Sequence, residues 1–259
     1  MSIGVRRDIS ATVLLSDWNL PRLTVKIWTY LMNAFEVWLD HYFDRPPGDL
    51  EPLAWYHNAD DPPTEWTMRY EESDTPVAQA ERIRRLFSDA GALLRPYSDE
   101  QVGHGLNAIV NPACVGDLVS LAEGQVPPEL REAGLRSIVT LFAEVFAPRL
   151  DAAHPGYVDP QGDAEPGQRV HPLDFICYMF WDVAPLVPSR GDTQFEVLEA
   201  TLALDSFACQ RAALHGLGHA YFEDRDTVPE IIHRWLDSHP RAPEGLRDYA
   251  VQASRGRVQ

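Results

Sequence analysis

Residues 206–222, SFACQRAALHGLGHAYF, have few ways to fold other than as a helix pressed against close neighbours. Ala208, Ala212, Leu214, Leu217 and Ala220 recur at helical spacing and lay small and apolar groups along a broad face. Gly216 and Gly218 each cost about 1 kcal/mol of helix stability relative to alanine. A helix tolerates that cost where a bare backbone lets another element come close. Asp205 and Ser206 stand where side-chain oxygens can take up the unpaired N–H groups of the first turn. A buried helix at this place is the element around which the rest should be organised.

The preceding chain is punctuated by proline. Leu23, Ile27, Leu31, Ala34, Trp38 and Tyr42 form one helical stripe that Pro46, Pro47 and Gly48 bring to a stop. Thr75-Pro76 is a cap followed by a first-turn proline, and Ser98 with Gln101 has the spacing of a capping box. Asn111-Pro112 is expected to open a short helix through Cys114, Leu118 and Leu121. Pro127-Pro128 is expected to begin a long helix that Pro148 ends, and His171-Pro172 an apolar helix over LDFICYMFWDVAPL. Further helices are expected near 193–204, from Thr227, and from Pro243 to about 254. No pair of strands emerges. The fold expected is all-α, about ten helices stacked as antiparallel hairpins, either a HEAT-like α-solenoid or an irregular bundle. Residues 75–259 would be the helical body. Residues 1–74 would be an N-terminal helix and an acidic, aromatic loop region packed on it.

Charge narrows the function. The formal net charge is −17, with 39 acids against 22 bases. That argues against nucleic acid or an anionic membrane as partner over a broad surface. The three cysteines Cys114, Cys177 and Cys209 form no CxxC pair and sit in apolar contexts, as expected of buried thiols in a reducing compartment. The N-terminus lacks an apolar signal region, so the expected location is cytoplasmic.

REAGLRSIVTLFAEVF and SFACQRAALHGLGHAYF resemble the inner helices of HEAT-like repeats, in which a small-residue-rich helix packs on its neighbour. The resemblance covers about residues 98–255. It implies a scaffold or protein-binding module rather than an enzyme. The whole chain also resembles a bacterial protein family, from which no functional residue carries over.

Two constellations could carry function. Residues 36–74 hold eleven acids against Arg45 and Arg69, together with seven aromatics. Acids steer a basic partner and aromatic anchors fill its clefts. Trp55, Tyr56, Asp60, Asp61, Glu65, Trp66, Tyr70, Glu71, Glu72 and Asp74 are therefore the candidate partner-binding residues. The function expected is non-enzymatic: one basic protein partner is captured, most concretely a toxin blocked by an immunity or antitoxin protein. The second constellation is His215 and His219, four apart on one helix face, with Glu223 four further on. That spacing can hold one metal ion, although the glutamate of an HExxH motif is missing. The alternatives are thus a metal-dependent enzyme at His215, His219 and Glu223, or a structural scaffold. Ser206, Cys209 and His215 lack the strand–turn–helix elbow of a nucleophile. No phosphate-cradling or dinucleotide motif is present, so no cofactor is expected and no catalytic residue is assigned.

Overall fold

The computed structural model describes residues 34–44, 75–112, 116–122, 124–153, 171–186 and 193–258. The chain divides into two compact units, Met1–Val37 and Trp38–Gln259. Only residues 34–37 of the first are described, so the architecture below is that of the second. It is all-helical, and the described residues contain no strand. None of their helices is long and apolar enough to cross a membrane.

In this unit helix α1 covers residues 38–43. Its Trp38 Nε1 donates to Asp117 Oδ2 at 3.2 Å. Helix α2 (Pro76–Ser88) starts as its sequence directs: Thr75 Oγ1 accepts from Ala78 N at 3.2 Å, and Pro76 needs no partner in the first turn. After the short α3 (Ala90–Leu94), helix α4 (Asp99–Val110) forms the full capping box, with Ser98 and Gln101 satisfying each other's backbone N–H at 3.3 and 2.9 Å.

The next turn differs from expectation. Asn111 and Pro112 stand outside any helix, Cys114 lies outside the described residues, and a 3-10 turn spans Asp117–Leu121. It begins at Gly116, whose φ is +68°. A Cβ there would lie 2.6 Å from Pro112 Cα, so only glycine fits both the backbone and the space.

Helix α5 (Pro128–Leu141) runs into a π turn (Phe142–Phe146) and on into α6 (Ala147–Ala153). Pro148 therefore does not end the helix. In the π turn Ala147 N–H reaches back to Phe142 O, so the ladder slips by one residue. Residues 147 and 148 then behave as a fresh first turn, where a missing N–H is not missed. The slip also turns the rings of Phe142 and Phe146 into the core, 4.9 Å apart edge to face. Phe180 lies 5.3 Å and Trp181 6.2 Å from Phe142. Burying such rings contributes about 1.5–3 kcal/mol each.

The apolar segment after His171 is two short helices, α7 (Asp174–Tyr178) and α8 (Phe180–Val183), broken at Met179. Then follow α9 (Thr193–Leu202), α10 (Phe207–Ala220), α11 (Thr227–Ser238) and α12 (Glu244–Ala253). Asp224 opens α11 by accepting from Asp226 N, Thr227 N and the Thr227 hydroxyl at 3.1, 2.9 and 2.9 Å.

Helix α10, whose sequence pointed to a central role, is buried over almost its whole circumference. It packs against α6, α7, α8, α9, α11 and α12. Its cap departs from expectation: the Ser206 hydroxyl makes no bond to the first turn and donates across to Asp151 Oδ1 at 2.9 Å. Both glycines serve close approach. A Cβ on Gly216 would sit 2.7 Å from Trp181 Cβ and 2.8 Å from Leu198 Cδ2, while one on Gly218 would collide with the Val258 side chain.

Candidate metal centre

The candidate partner-binding residues, Trp55, Tyr56, Asp60, Asp61, Glu65, Trp66, Tyr70, Glu71, Glu72 and Asp74, lie outside the described residues. The histidine helix is described in full.

His215 and His219 sit one turn apart on α10, as their spacing requires. Their Nε2 atoms face each other at 3.1 Å. The carboxylate that joins them is Asp182, from α8, whose Oδ1 lies 3.4 Å from His219 Nε2. One ligand atom from each of the three residues falls within 4.8 Å of the others. A tetrahedral ion bound at 2.0–2.1 Å holds its ligand atoms about 3.3 Å apart, so the two shorter separations match such an ion.

Glu223, four residues beyond His219, borders the same cavity but stands outside this group. The physical reason is that α10 ends at Ala220 and residues 221–223 form a turn, which breaks the four-residue stepping. Asp182 reaches the histidines because Gly216, between them, lets Trp181 lie directly on the helix backbone. The break at Met179 turns α8 so that it too lies along α10.

The site faces a cavity of about 220 Å³ lined by Trp181, Asp182, Ala184, Leu186, Leu198, Gly216, His219, Ala220 and Glu223. His219 and Asp182 are exposed, whereas His215 is 1 % exposed. Burial, the neighbouring His219 and the Arg211 guanidinium hold the His215 imidazole down to a pKa of about 3. It is therefore neutral near pH 7 and able to offer a lone pair, as a metal ligand must. The site also lies in the last turn of α10, where the aligned peptide dipoles favour a positive charge.

Behind His215 the contacts continue. Its Nδ1 lies 2.7 Å from the Tyr249 hydroxyl of α12, which lies 3.0 Å from the Tyr178 hydroxyl of α7. Arg211, one turn before His215, stacks its guanidinium 4.3 Å from the Tyr178 ring centre and 5.6 Å from that of Tyr249.

The other sequence candidates are engaged elsewhere. Cys209 is fully buried with Sγ 3.7 Å from Phe142 O, and Ser206 is bonded to Asp151, so neither meets His215 as a nucleophile. His171 bonds Asp99 at 3.1 Å, and His239 stacks on Trp235 at 5.0 Å. Tyr249, Tyr178 and Arg211 carry no sequence signal, because aromatic and basic residues at helical spacing look alike whether they support a ligand or fill a seam. No family model, curated protein or solved structure matches the chain.

Proposed function

We propose that this chain is a metal-dependent enzyme of hydrolytic type, with one divalent transition-metal ion held by Asp182, His215 and His219. The observation that carries this is the convergence of two imidazole nitrogens and one carboxylate oxygen within 4.8 Å beside an open cavity. Structural zinc sites are closed by four protein ligands, whereas three ligands and an open position are the pattern of a catalytic ion. Two imidazoles and a carboxylate suit Zn²⁺ or Fe²⁺ better than Mg²⁺ or Ca²⁺.

In that open position the ion would lower the pKa of a bound water towards 7. Glu223 lines the cavity and would serve as the base that takes the proton. With Asp182, His215 and His219 holding the ion, Glu223 would then return that proton to the alcohol that leaves an ester, the other product being the acid. No Lys or Arg lines the cavity among the described residues, and two carboxylates do. An uncharged ester or amide with a small apolar group is therefore favoured over a phosphate monoester.

A panel of chromogenic acyl esters, anilides and phosphoesters tests this, with tag-free protein either zinc-loaded or chelator-stripped. Zinc-dependent acyl hydrolysis that is lost in Asp182→Ala is expected. Identical traces for loaded and stripped protein across the panel would overturn it.

A second proposal rests on charge. Eleven acids and seven aromatics between residues 36 and 74, in a chain of net charge −17, favour capture of a basic protein. A bacterial toxin blocked by an immunity or antitoxin protein is its most concrete form. Reversing Asp60, Asp61, Glu71 and Glu72 to Lys is expected to weaken a co-purifying basic partner at least tenfold with unchanged helical circular dichroism. Unaltered affinity would count against it.

A further inference from the structure

We infer that Tyr249 is the positioning residue that makes His215 a ligand, by accepting its Nδ1–H so that the Nε2 lone pair is presented to the ion. This rests on the metal site proposed above. A neutral imidazole carries one ring proton, and where it sits decides whether the site can work. If the proton is on Nε2, it points at His219 and blocks coordination. If it is on Nδ1, Nε2 is free to bind.

The Tyr249 hydroxyl lies 2.7 Å from Nδ1, a short hydrogen bond. Tyr249 can accept that proton without leaving its own O–H idle, because the Tyr178 hydroxyl stands 3.0 Å away and is able to accept. The run His215 Nδ1–H to Tyr249, then Tyr249 O–H to Tyr178, is thus consistent in direction. The rings in it are fixed from several sides. Tyr178 packs on the His215 ring with centres 4.3 Å apart, and Arg211 lies over both tyrosines. His215 and Arg211 come from α10, Tyr178 from α7 and Tyr249 from α12, so three helices fix one imidazole. Ligating histidines generally donate their second N–H to such an outer partner, and losing it costs about 10–100-fold in metal affinity.

Tyr249→Phe keeps the ring and removes the oxygen. Zn²⁺ affinity, measured by competition with a chromogenic chelator, is expected to fall about 10–100-fold. The visible spectrum of the Co²⁺-loaded variant should shift, while the metal-free circular dichroism stays that of the parent. A purely packing role would alter the melting temperature and leave the Co²⁺ spectrum in place. A variant that binds Zn²⁺ as tightly as the parent, with the same Co²⁺ spectrum, would overturn the inference and leave the metal site standing. A parent that takes up neither ion would overturn the site itself. Long-range proton–nitrogen NMR of the parent serves if the variant does not fold. A proton on His215 Nδ1 is expected, and one on Nε2 would overturn the inference.

Discussion

Replacing either histidine of α10 with alanine is expected to lower Zn²⁺ affinity by more than the roughly 100-fold that follows the loss of an outer partner, yet the two variants should differ sharply in stability. Each substitution removes one of the three proposed ligands, leaving Asp182 and a single imidazole. The metal-free consequences depend on burial. His219 is exposed and its ring borders an open cavity, so His219→Ala leaves few groups stranded. Its effect on stability should stay within about 0.5 kcal/mol. His215 is buried, with Tyr249 on one nitrogen and Tyr178 against its ring. His215→Ala leaves a void and removes a hydrogen-bond partner from the Tyr249 hydroxyl. Together these should cost about 2–4 kcal/mol. Urea unfolding of both variants after chelation, alongside Zn²⁺ titration, separates the two effects. Equal stability losses would mean that His215 is not the buried member of the pair.

Acid should destabilise the metal-free protein well before its ordinary carboxylates titrate. The His215 imidazole has a pKa of about 3 in the folded chain against an ordinary 6.5. Between those values the unfolded chain binds a proton that the folded chain does not. Stability linked to His215 is therefore complete above about pH 6.5 and is lost as the pH falls towards 3. The slope is about 1.4 kcal/mol per pH unit, so about 2 kcal/mol should disappear between pH 7 and pH 5. The groups around His215 define this response: His219 and Arg211 on α10, Tyr178 on α7 and Tyr249 on α12, with Asp182 beyond His219. Asp151 works in the opposite sense, because burial raises its carboxyl pKa, with the neighbouring Asp205 adding to the rise; its folded form gains stability at lower pH. Chemical denaturation at the two pH values checks the expectation. His215→Gln should reduce the slope to what His104 leaves, its pKa being lowered by burial in the same sense, and a parent equally stable at both would contradict it.

The helical class was legible because periodicity and capping are local. Thr75 with Pro76, and Ser98 with Gln101, announce helix starts in a few residues, and the structure forms both. The pairing of His215 with His219 was legible for the same reason, since one helical turn is set by the backbone alone. Asp182 was not. It belongs to a different helix, and its arrival depends on the break at Met179 and the bare backbone of Gly216, a long-range meeting that periodicity cannot encode. Glu223 looked better placed only if α10 continued past Ala220. Pro148 misled for a related reason: the π turn before it is chosen by the packing of Phe142 and Phe146, and then makes the proline harmless. The acidic and aromatic positions from Trp55 to Asp74 were singled out by composition and lie outside the described residues.

The most direct test is to locate the ion. Crystals of tag-free protein grown with one equivalent of Zn²⁺ should be measured on both sides of the zinc absorption edge. A single anomalous peak is expected about 2.0–2.2 Å from His215 Nε2, His219 Nε2 and an Asp182 oxygen, with a further position open to the cavity. The absence of a peak there, or a peak held by other residues while Asp182, His215 and His219 stay unligated, would contradict the metal centre.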